Sequence, residues 1–489
     1  MKIAYVRQEF PKNSETFLIE EVASLLRAGH EVRVVAQRSG VTGLHARVLE
    51  SRLFDHIDYE PVAPGLRAGY QHLRQFIGRV RRDHYGAGYW RNLVPDASLA
   101  TSLIEVLRSS GPRGLARALE RSTRLDNLSL ALDPVQRPAE SPSVAWATAL
   151  PEAFGRMAKP GLEAFGRMAK PGLKAFAHEF VPDVIHCPFL FAWEAEKVAA
   201  LSQRYRVPHT ITLRACDLYR ELPESADQAL RLAVLTSAAR IITISRFNRD
   251  HIMRASDPRS RAAASVSTQI PIVHSGIDTR RFAPDPTVRK VPNQIAAVAR
   301  LVPMKGLDLL VRAVARLHQD GHQVRCIIVG EGPQRARLAA LIREHRLGAY
   351  VELRGVASQT EVREILAAST LFVLPCVVDP TGDRDILPNS VKEAMAMQLP
   401  VVTSDISGID ELVRDDATGL LVPPGSVPAI ASAITSLLAD PARRERLGMA
   451  ARAAVVCDFD SANEAAKLAI VLSEVCEAAR RDRGNPGTG

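Results

Sequence analysis

Short apolar runs rich in Val, Ile and Leu recur along much of this chain, alternating with longer stretches in which apolar residues return every three to four positions. The short runs fit strands buried on both faces of a parallel sheet, and the longer ones fit amphipathic helices that cover it. Runs at 2–6 and 31–36, with a helix from about 15 to 28 closed by Gly29, open the pattern. It breaks from Pro61 to about Ala175, where only helix-like stretches at 69–83 and 98–109 stand out between Gly and Pro. It resumes at 183–187, 208–213, 241–244 and 272–274. A connector at 282–292 carries Pro284, Pro286 and Pro292 and reads as a hinge. Runs at 294–299, 324–329, 371–374, 400–403 and 420–422 form a second set, followed by an amphipathic helix at 461–481. The alternation predicts an α/β chain of two Rossmann-like domains facing a central cleft. The first spans 1–283 with a helical insertion at about 61–175, the second spans 284–457, and a helix within 458–482 packs back on the first.

Composition narrows the class. A length of 489 residues with 46% hydrophobic and 24% charged residues is that of a folded chain of two or three domains and excludes a fibrous or disordered one. The six cysteines, Cys187, Cys216, Cys326, Cys376, Cys457 and Cys476, stand singly, without metal-ligand spacing, which points to reduced thiols in a cytoplasmic protein and to no bound metal. Arg7 and Glu9 interrupt the opening run, so it reads as a strand and not a signal peptide. No run approaches the length of a membrane span, and any membrane contact is expected to be peripheral, on the inner face of the cell membrane.

The formal charge of +9 calls for an anionic partner, and its location matters more than its size. Residues 61–175 hold 17 Lys/Arg against 9 Asp/Glu, so nearly all of the excess lies there. Within them Leu73, Phe76, Ile77 and Val80 share one helical face, with Arg74, Arg79, Arg81 and Arg82 beside it. Such a helix suits an anionic membrane surface, while a core-packed helix with a solvated basic face is the plainer alternative. A nucleic acid partner is not expected, because no recognition motif is present and aromatics make up 5% of the chain. An 11-residue unit, 152–162, is repeated at once as 163–173, which reads as a duplication in a tolerant surface segment.

Three segments carry candidate chemistry. In 298–306 a strand end is followed by Arg300 and Lys305, a pair able to grip a diphosphate; solvated surface cations are the alternative. In 328–333 Gly330 and Gly332 allow close backbone approach to a ligand, or form a plain strand-to-helix turn. In 379–409 Asp385 and Glu393 are separated by seven residues, Asp385 at a loop tip and Glu393 in a helix beginning near Asn389. A helix carboxylate there suits ribose hydroxyls, and the preceding backbone suits a phosphate; a cap and a solvated Glu are the alternative.

Taken together, Arg300…Lys305, Gly330-x-Gly-Pro333 and Asp385-x7-Glu393, with EAMA, LPVV and Gly408 following, resemble the nucleotide-binding half of a GT-B glycosyltransferase of the retaining family 4. The opening Phe10-Pro-x3-Glu15-Thr-Phe-Leu and the GDRD…PN…EAMAM run are similar to its colanic-acid and exopolysaccharide branch, in which the first acidic position is Asp. The resemblance implies a transferase that moves a sugar from a nucleotide-sugar donor to a saccharide acceptor, expected to be lipid-linked, without a metal or other cofactor. Arg300 and Lys305 would then bind the diphosphate, Glu393 the ribose and Asp385 the sugar hydroxyls, with backbone at Pro388, Asn389 and Ser390 near the phosphates. Asp217 matches the family's acidic position on the first domain.

Departures are also visible. Relatives usually carry His at Arg214 and Gly at Ile386 and Gln398. Arg214 supplies a fixed charge but no base. These positions motivate a second reading, a catalytically impaired glycosyltransferase-like protein that binds nucleotide sugar or a partner. His186, at a strand end, reads first as a satisfied core histidine, and Asp278 after His274-Ser-Gly-Ile as a local turn residue.

Overall fold

The computed structural model describes residues 1–12, 15–40, 53–59, 180–219, 231, 233–255 and 270–484. The expected helices, basic face and duplication of 61–175 lie outside them.

Two parallel six-stranded sheets carry the chain. The first contains β1 (Lys2–Val6), β3 (Glu31–Ala36), β5 (Ile57–Tyr59), β6 (Val184–Cys187), β7 (His209–Leu213) and β8 (Arg240–Thr243), in the order β5-β3-β1-β6-β7-β8. A small pair, β2 (Glu9–Lys12) and β4 (Arg38–Gly40), lies beside it. The second contains β9 (Gln294–Val298), β10 (Arg325–Val329), β11 (Val351–Gly355), β12 (Leu371–Leu374), β13 (Val401–Ser404) and β14 (Leu420–Val422), in the order β11-β10-β9-β12-β13-β14. Both sheets therefore reverse direction of growth beside their first strand, between β1 and β6 and between β9 and β12. A ligand-binding crevice opens outside the carboxyl ends at such a point.

Central strands are buried along their length, as at β6, β7, β12 and β13, and are rich in apolar residues; His186 within β6 is satisfied by Thr210 and Thr212 of β7. Helices α1 (Thr16–Arg27) and α2 (Ala192–Tyr205) cover the first sheet. Helices α5 (Leu307–Gln319), α6 (Arg335–Glu344) and α7 (Gln359–Ala368) belong to the second, after the short α3 (Cys216–Tyr219) and α4 (Arg246–Ala255) at the ends of β7 and β8. Helix α8 (Asn389–Ala396) follows β12, and α9 (Val427–Ala439) and α10 (Pro441–Asp458) complete the second core. Helix α11 (Ser461–Gly484) returns to the first sheet, where Ala465, Leu468, Leu472 and Val475 join Ile3, Leu18, Val22 and Leu25 in one core. Each buried Leu, Ile or Val among them contributes about 1.5–3 kcal/mol.

Two differences from the sequence reading have clear causes. Residues 272–274 form only a bridge from Ile272 to Thr243. Pro271 has no N–H to offer, and the N–H of His274 is taken by Glu464 Oε2 at 2.6 Å, so the ladder cannot extend. Strand β11, unread in the sequence, is an edge strand in which Glu352 and Arg354 alternate with Val351 and Leu353, so it never forms the continuous apolar run by which the central strands are read; Glu352 pairs with Arg325 and Arg354.

Candidate active site

At the crevice of the second sheet, β9 runs out into Ala299-Arg300-Leu301, and this backbone is clasped by the turn after β10. Ala299 N–H donates to Val329 O at 3.0 Å and Leu301 N–H to Glu331 O at 2.9 Å. Gly330 has φ +137, and a Cβ there would collide with the Ala299 carbonyl; one at Gly332 would collide with Leu301. The close approach these glycines permit in this structure is thus to the chain's own backbone, and it fixes where Arg300 leaves the strand. The Arg300 side chain is exposed and makes no ion pair among the described residues.

Lys305 closes a short 3-10 turn, Pro303–Lys305, and is buried. Gly306 follows in the left-handed region, φ +60, pressed against the Pro375 carbonyl, with no room for a Cβ. This contact sets Lys305 at the end of β12, where its Nζ pairs with Asp385 Oδ2 at 2.5 Å. The Cys376 thiol donates to the same oxygen at 3.3 Å. Burial, then the Asp385 charge, pushes the Cys376 pKa well up, so the thiol keeps its proton for this bond.

The loop bearing Asp385 is held from within: Asp379 Oδ1 accepts from Thr381 N–H at 2.8 Å and Asp383 N–H at 3.1 Å. Ile386, a departure from the glycine the resemblance leads one to expect, turns into the second core and is 2% exposed. Helix α8 starts after Pro388 with no side chain capping the N–H groups of its first turn, which includes Asn389 and Ser390. Glu393, one turn on, has its carboxyl pushed up to about 7 by burial, an effect opposed by Lys392. Lys392 itself is fully buried and drawn down to about 7, by burial first and the Arg214 charge second. Gln398 takes a left-handed φ of +58 after the helix, a conformation that favours glycine.

Across the crevice, β7 ends at Arg214. Its Nε donates to Pro188 O at 3.0 Å, Nη1 to Ser275 Oγ and Nη2 to Glu21 Oε2 at 3.4 Å. Its planar face lies over Phe17 at 4.5 Å and Phe189 at 5.3 Å. Every guanidinium nitrogen is therefore engaged by protein groups. Asp217 Oδ1 accepts from the Arg214 N–H at 2.8 Å, while Oδ2 is buried with no hydrogen-bond partner among the described residues. Burial lifts the Asp217 pKa to about 6. His186 sits between Thr210 and Thr212, and burial lowers its pKa to about 3, so it is a neutral core residue. Asp278 Oδ1 accepts from the N–H groups of Arg280 and Arg281, a local turn.

Besides apolar packing, as of Ile244 and Ile277 into the second core, polar and ring contacts among the described residues join the two halves. Glu411 Oε2 and Oε1 accept from the Arg246 and Phe247 N–H groups at the start of α4, at 2.8 and 2.7 Å, and Gly408 lies against the Phe247 side chain. The Arg384 guanidinium stacks on Tyr219 at 4.9 Å. Lys392 Nζ donates to Ser275 O at 2.5 Å. Thus the structure joins Lys305 to Asp385, Arg214 to Asp217, and Gly330 and Gly332 to the backbone at Arg300; no described bond links Arg300 to the Lys305–Asp385 pair. Cys376, Lys392, Ser275 and Glu411 are contributors the sequence reading passes over. Only Lys392 leaves a signal there: a lysine sharing a helical face with Met395 and Ala396. Among the described residues no cluster of metal-ligating side chains occurs, and no helix is long and apolar enough to cross a membrane.

Residues 278–454 match the family described as Glycosyl transferases group 1. The chain is 37% identical over 169 residues to a putative colanic acid biosynthesis glycosyltransferase, WcaL, of Escherichia coli, a match covering 34% of this chain and 42% of that one. It is 34% identical over 184 residues to the amylovoran biosynthesis glycosyltransferase AmsK of Erwinia amylovora, covering 38% and 45%. These matches span less than half the length of either relative. Among solved structures, Anabaena HepE in complex with UDP and glucose superposes with a TM-score of 0.59 at 17% identity, over 97% of this chain and 100% of that one. Sucrose-phosphate synthase from Thermosynechococcus elongatus gives 0.61 at 17%, over 98% and 100%. At such identities the likeness is one of fold, and the fold is GT-B.

Proposed function

We propose, for a chain whose residues 278–454 are a Glycosyl transferases group 1 domain, that it transfers a sugar from a nucleotide-sugar donor to a lipid-linked saccharide with retention at the anomeric carbon, in the assembly of a surface polysaccharide. The observation that carries this reading is the exposed Arg300 and the Lys305–Asp385 pair at the carboxyl ends of β9 and β12. The exopolysaccharide relatives support the pathway class, and the UDP held in the HepE complex supports a nucleotide donor.

In this reading Arg300 and Lys305 take the diphosphate, and their charge offsets the negative charge that grows on it as the glycosidic bond breaks, which requires no metal. The uncapped start of α8 at Pro388–Ser390 faces a phosphate, Glu393 accepts the ribose hydroxyls, and Asp385 turns from Lys305 to the sugar. Acceptor and leaving phosphate share one face of the sugar, so the phosphate oxygen helps remove the acceptor proton. The reaction sits at the inner membrane face, approached by the basic segment of 61–175.

The test is nucleotide release from a panel of UDP-, GDP- and ADP-sugars with a lipid-linked saccharide acceptor. Release with one donor and an α-to-α product supports the reading. Binding without release from any donor overturns it in favour of a non-catalytic nucleotide-sugar binder, the reading that Arg214 and Ile386 invite.

A further inference from the structure

The Asp385 carboxylate is gripped twice at one oxygen. Lys305 Nζ lies 2.5 Å from Oδ2, and the Cys376 thiol donates to that same atom at 3.3 Å, while Oδ1 has no hydrogen-bond partner among the described residues. The two donors differ in what they do next. Lys305 carries a charge on a flexible stem, and a diphosphate competes with Asp385 for it. Cys376 is fully buried and held by backbone on both sides. Its own N–H donates to Leu374 O at 3.0 Å, and that of Val377 to Met304 O at 2.9 Å, while Gly306 presses on the carbonyl of Pro375 just before it. One side-chain torsion places the sulfur, so a fixed backbone fixes the donor. A buried thiol commonly serves as a small apolar filler with no polar neighbour. Here it faces a carboxylate, whose charge strengthens an otherwise weak donor.

We propose that Cys376 is a positioning residue for Asp385: its thiol holds Oδ2 in place when Lys305 turns to the diphosphate, so that Oδ1 stays available to the hydroxyls of the donor sugar. Cys376 touches neither donor nor acceptor and acts through Asp385 alone. The consequence for sugar binding rests on the reading of Asp385 as the sugar ligand; the bond from thiol to carboxylate does not.

Two measurements on the full chain separate the bond from its consequence. The S–H stretch falls in an infrared window clear of other protein bands, and subtracting the spectrum of Cys376→Ala isolates that of Cys376. Asp385→Asn, measured against its own Cys376→Ala counterpart, moves this band to higher frequency, because a neutral acceptor binds the thiol less strongly. An unmoved band overturns the proposal. Calorimetric titration with UDP and UDP-glucose, GDP and GDP-mannose, and ADP and ADP-glucose then isolates the share of the sugar, since the members of each pair differ only by it. For the pair that binds best, Cys376→Ala raises the ratio of the nucleotide-sugar Kd to the nucleotide Kd by about five- to tenfold, with the nucleotide Kd unchanged. Cys376→Ser, whose hydroxyl still donates, restores the ratio. Cys376→Val, equally without a donor, serves if the Ala variant does not fold. Equal weakening of both members of the pair marks a packing defect and overturns the proposal, as does a ratio that Asp385→Asn raises and Cys376→Ala does not. A ratio that Asp385→Asn itself leaves unchanged overturns the reading of Asp385 as the sugar ligand, and the positioning role with it.

Discussion

The Glu411 carboxylate, carried by the second sheet, accepts the N–H of Phe247 at 2.7 Å and so caps a helix that belongs to the first. The second oxygen takes the preceding Arg246 N–H at 2.8 Å, so two orphan donors of α4 are satisfied from the other half of the molecule. The contact is both a cap and a latch.

Removing it should cost stability and loosen the crevice together. Glu411→Ala is expected to lower the unfolding free energy by about 1–2 kcal/mol, the value of a lost N-cap. Denaturant titration checks it, and a loss below about 0.3 kcal/mol would show that water replaces the carboxylate at no cost.

Lys305 and Asp385 should behave as one unit. Lys305→Met is expected to lower kcat by about a hundredfold, as for loss of a charge facing the transition state. Asp385→Asn added to that variant should cost less than it does alone, because the 2.5 Å contact is already broken. Strict additivity in the cycle would separate the two residues.

Arg300 predicts the opposite balance. Its exposed guanidinium, with no ion pair among the described residues, adds little to the stability of the free protein. Arg300→Ala should therefore leave stability within about 0.5 kcal/mol while kcat/KM for the donor falls at least about tenfold. A large stability loss with normal turnover would contradict this.

Asp217 sets a pH dependence. Its pKa, raised to about 6 by burial, lies above the ordinary aspartate value, so between the two the unfolded chain binds fewer protons and stability falls as pH rises. The penalty at neutral pH is on the order of 3 kcal/mol. Asp217→Asn, whose oxygen still accepts from the Arg214 N–H, should escape it. Urea unfolding near pH 4 and near pH 8 is expected to show the variant gaining on the wild type by about 2 kcal/mol at the higher pH. Parallel pH curves would contradict the assignment.

The basic face predicted for 69–83 is tested by neutralising Arg74, Arg79, Arg81 and Arg82 together. Co-sedimentation with anionic vesicles should fall, and unchanged binding would remove the membrane argument.

The pattern of apolar runs locates Lys2–Val6, Leu371–Leu374 and Leu420–Val422 to the residue, because a parallel strand covered on both faces leaves little choice of side chain. β11 escapes because an edge strand carries charge for its own protection. In the crevice, Arg300, Lys305, Asp385 and Glu393 are legible because they keep a fixed order and spacing along the chain, Arg300 and Lys305 after a strand end, Asp385 in a loop and Glu393 in α8. Lys392 and Glu411 are not: their partners lie 117 and 164 residues away, and spacing says nothing about such pairs. The glycines at 330 and 332 leave open either a ligand or a plain strand-to-helix turn, and the backbone they lie against is the strand end at Ala299 and Leu301.

Helix α11 packs on the face of α1 formed by Leu18, Val22 and Leu25, over the first sheet, and Cys476 touches Met1 across 475 residues. A ribosome therefore delivers the first sheet long before its last covering layer. Until α11 emerges, that apolar face stays wet, so the half of the molecule made first is finished only when the rest has been built.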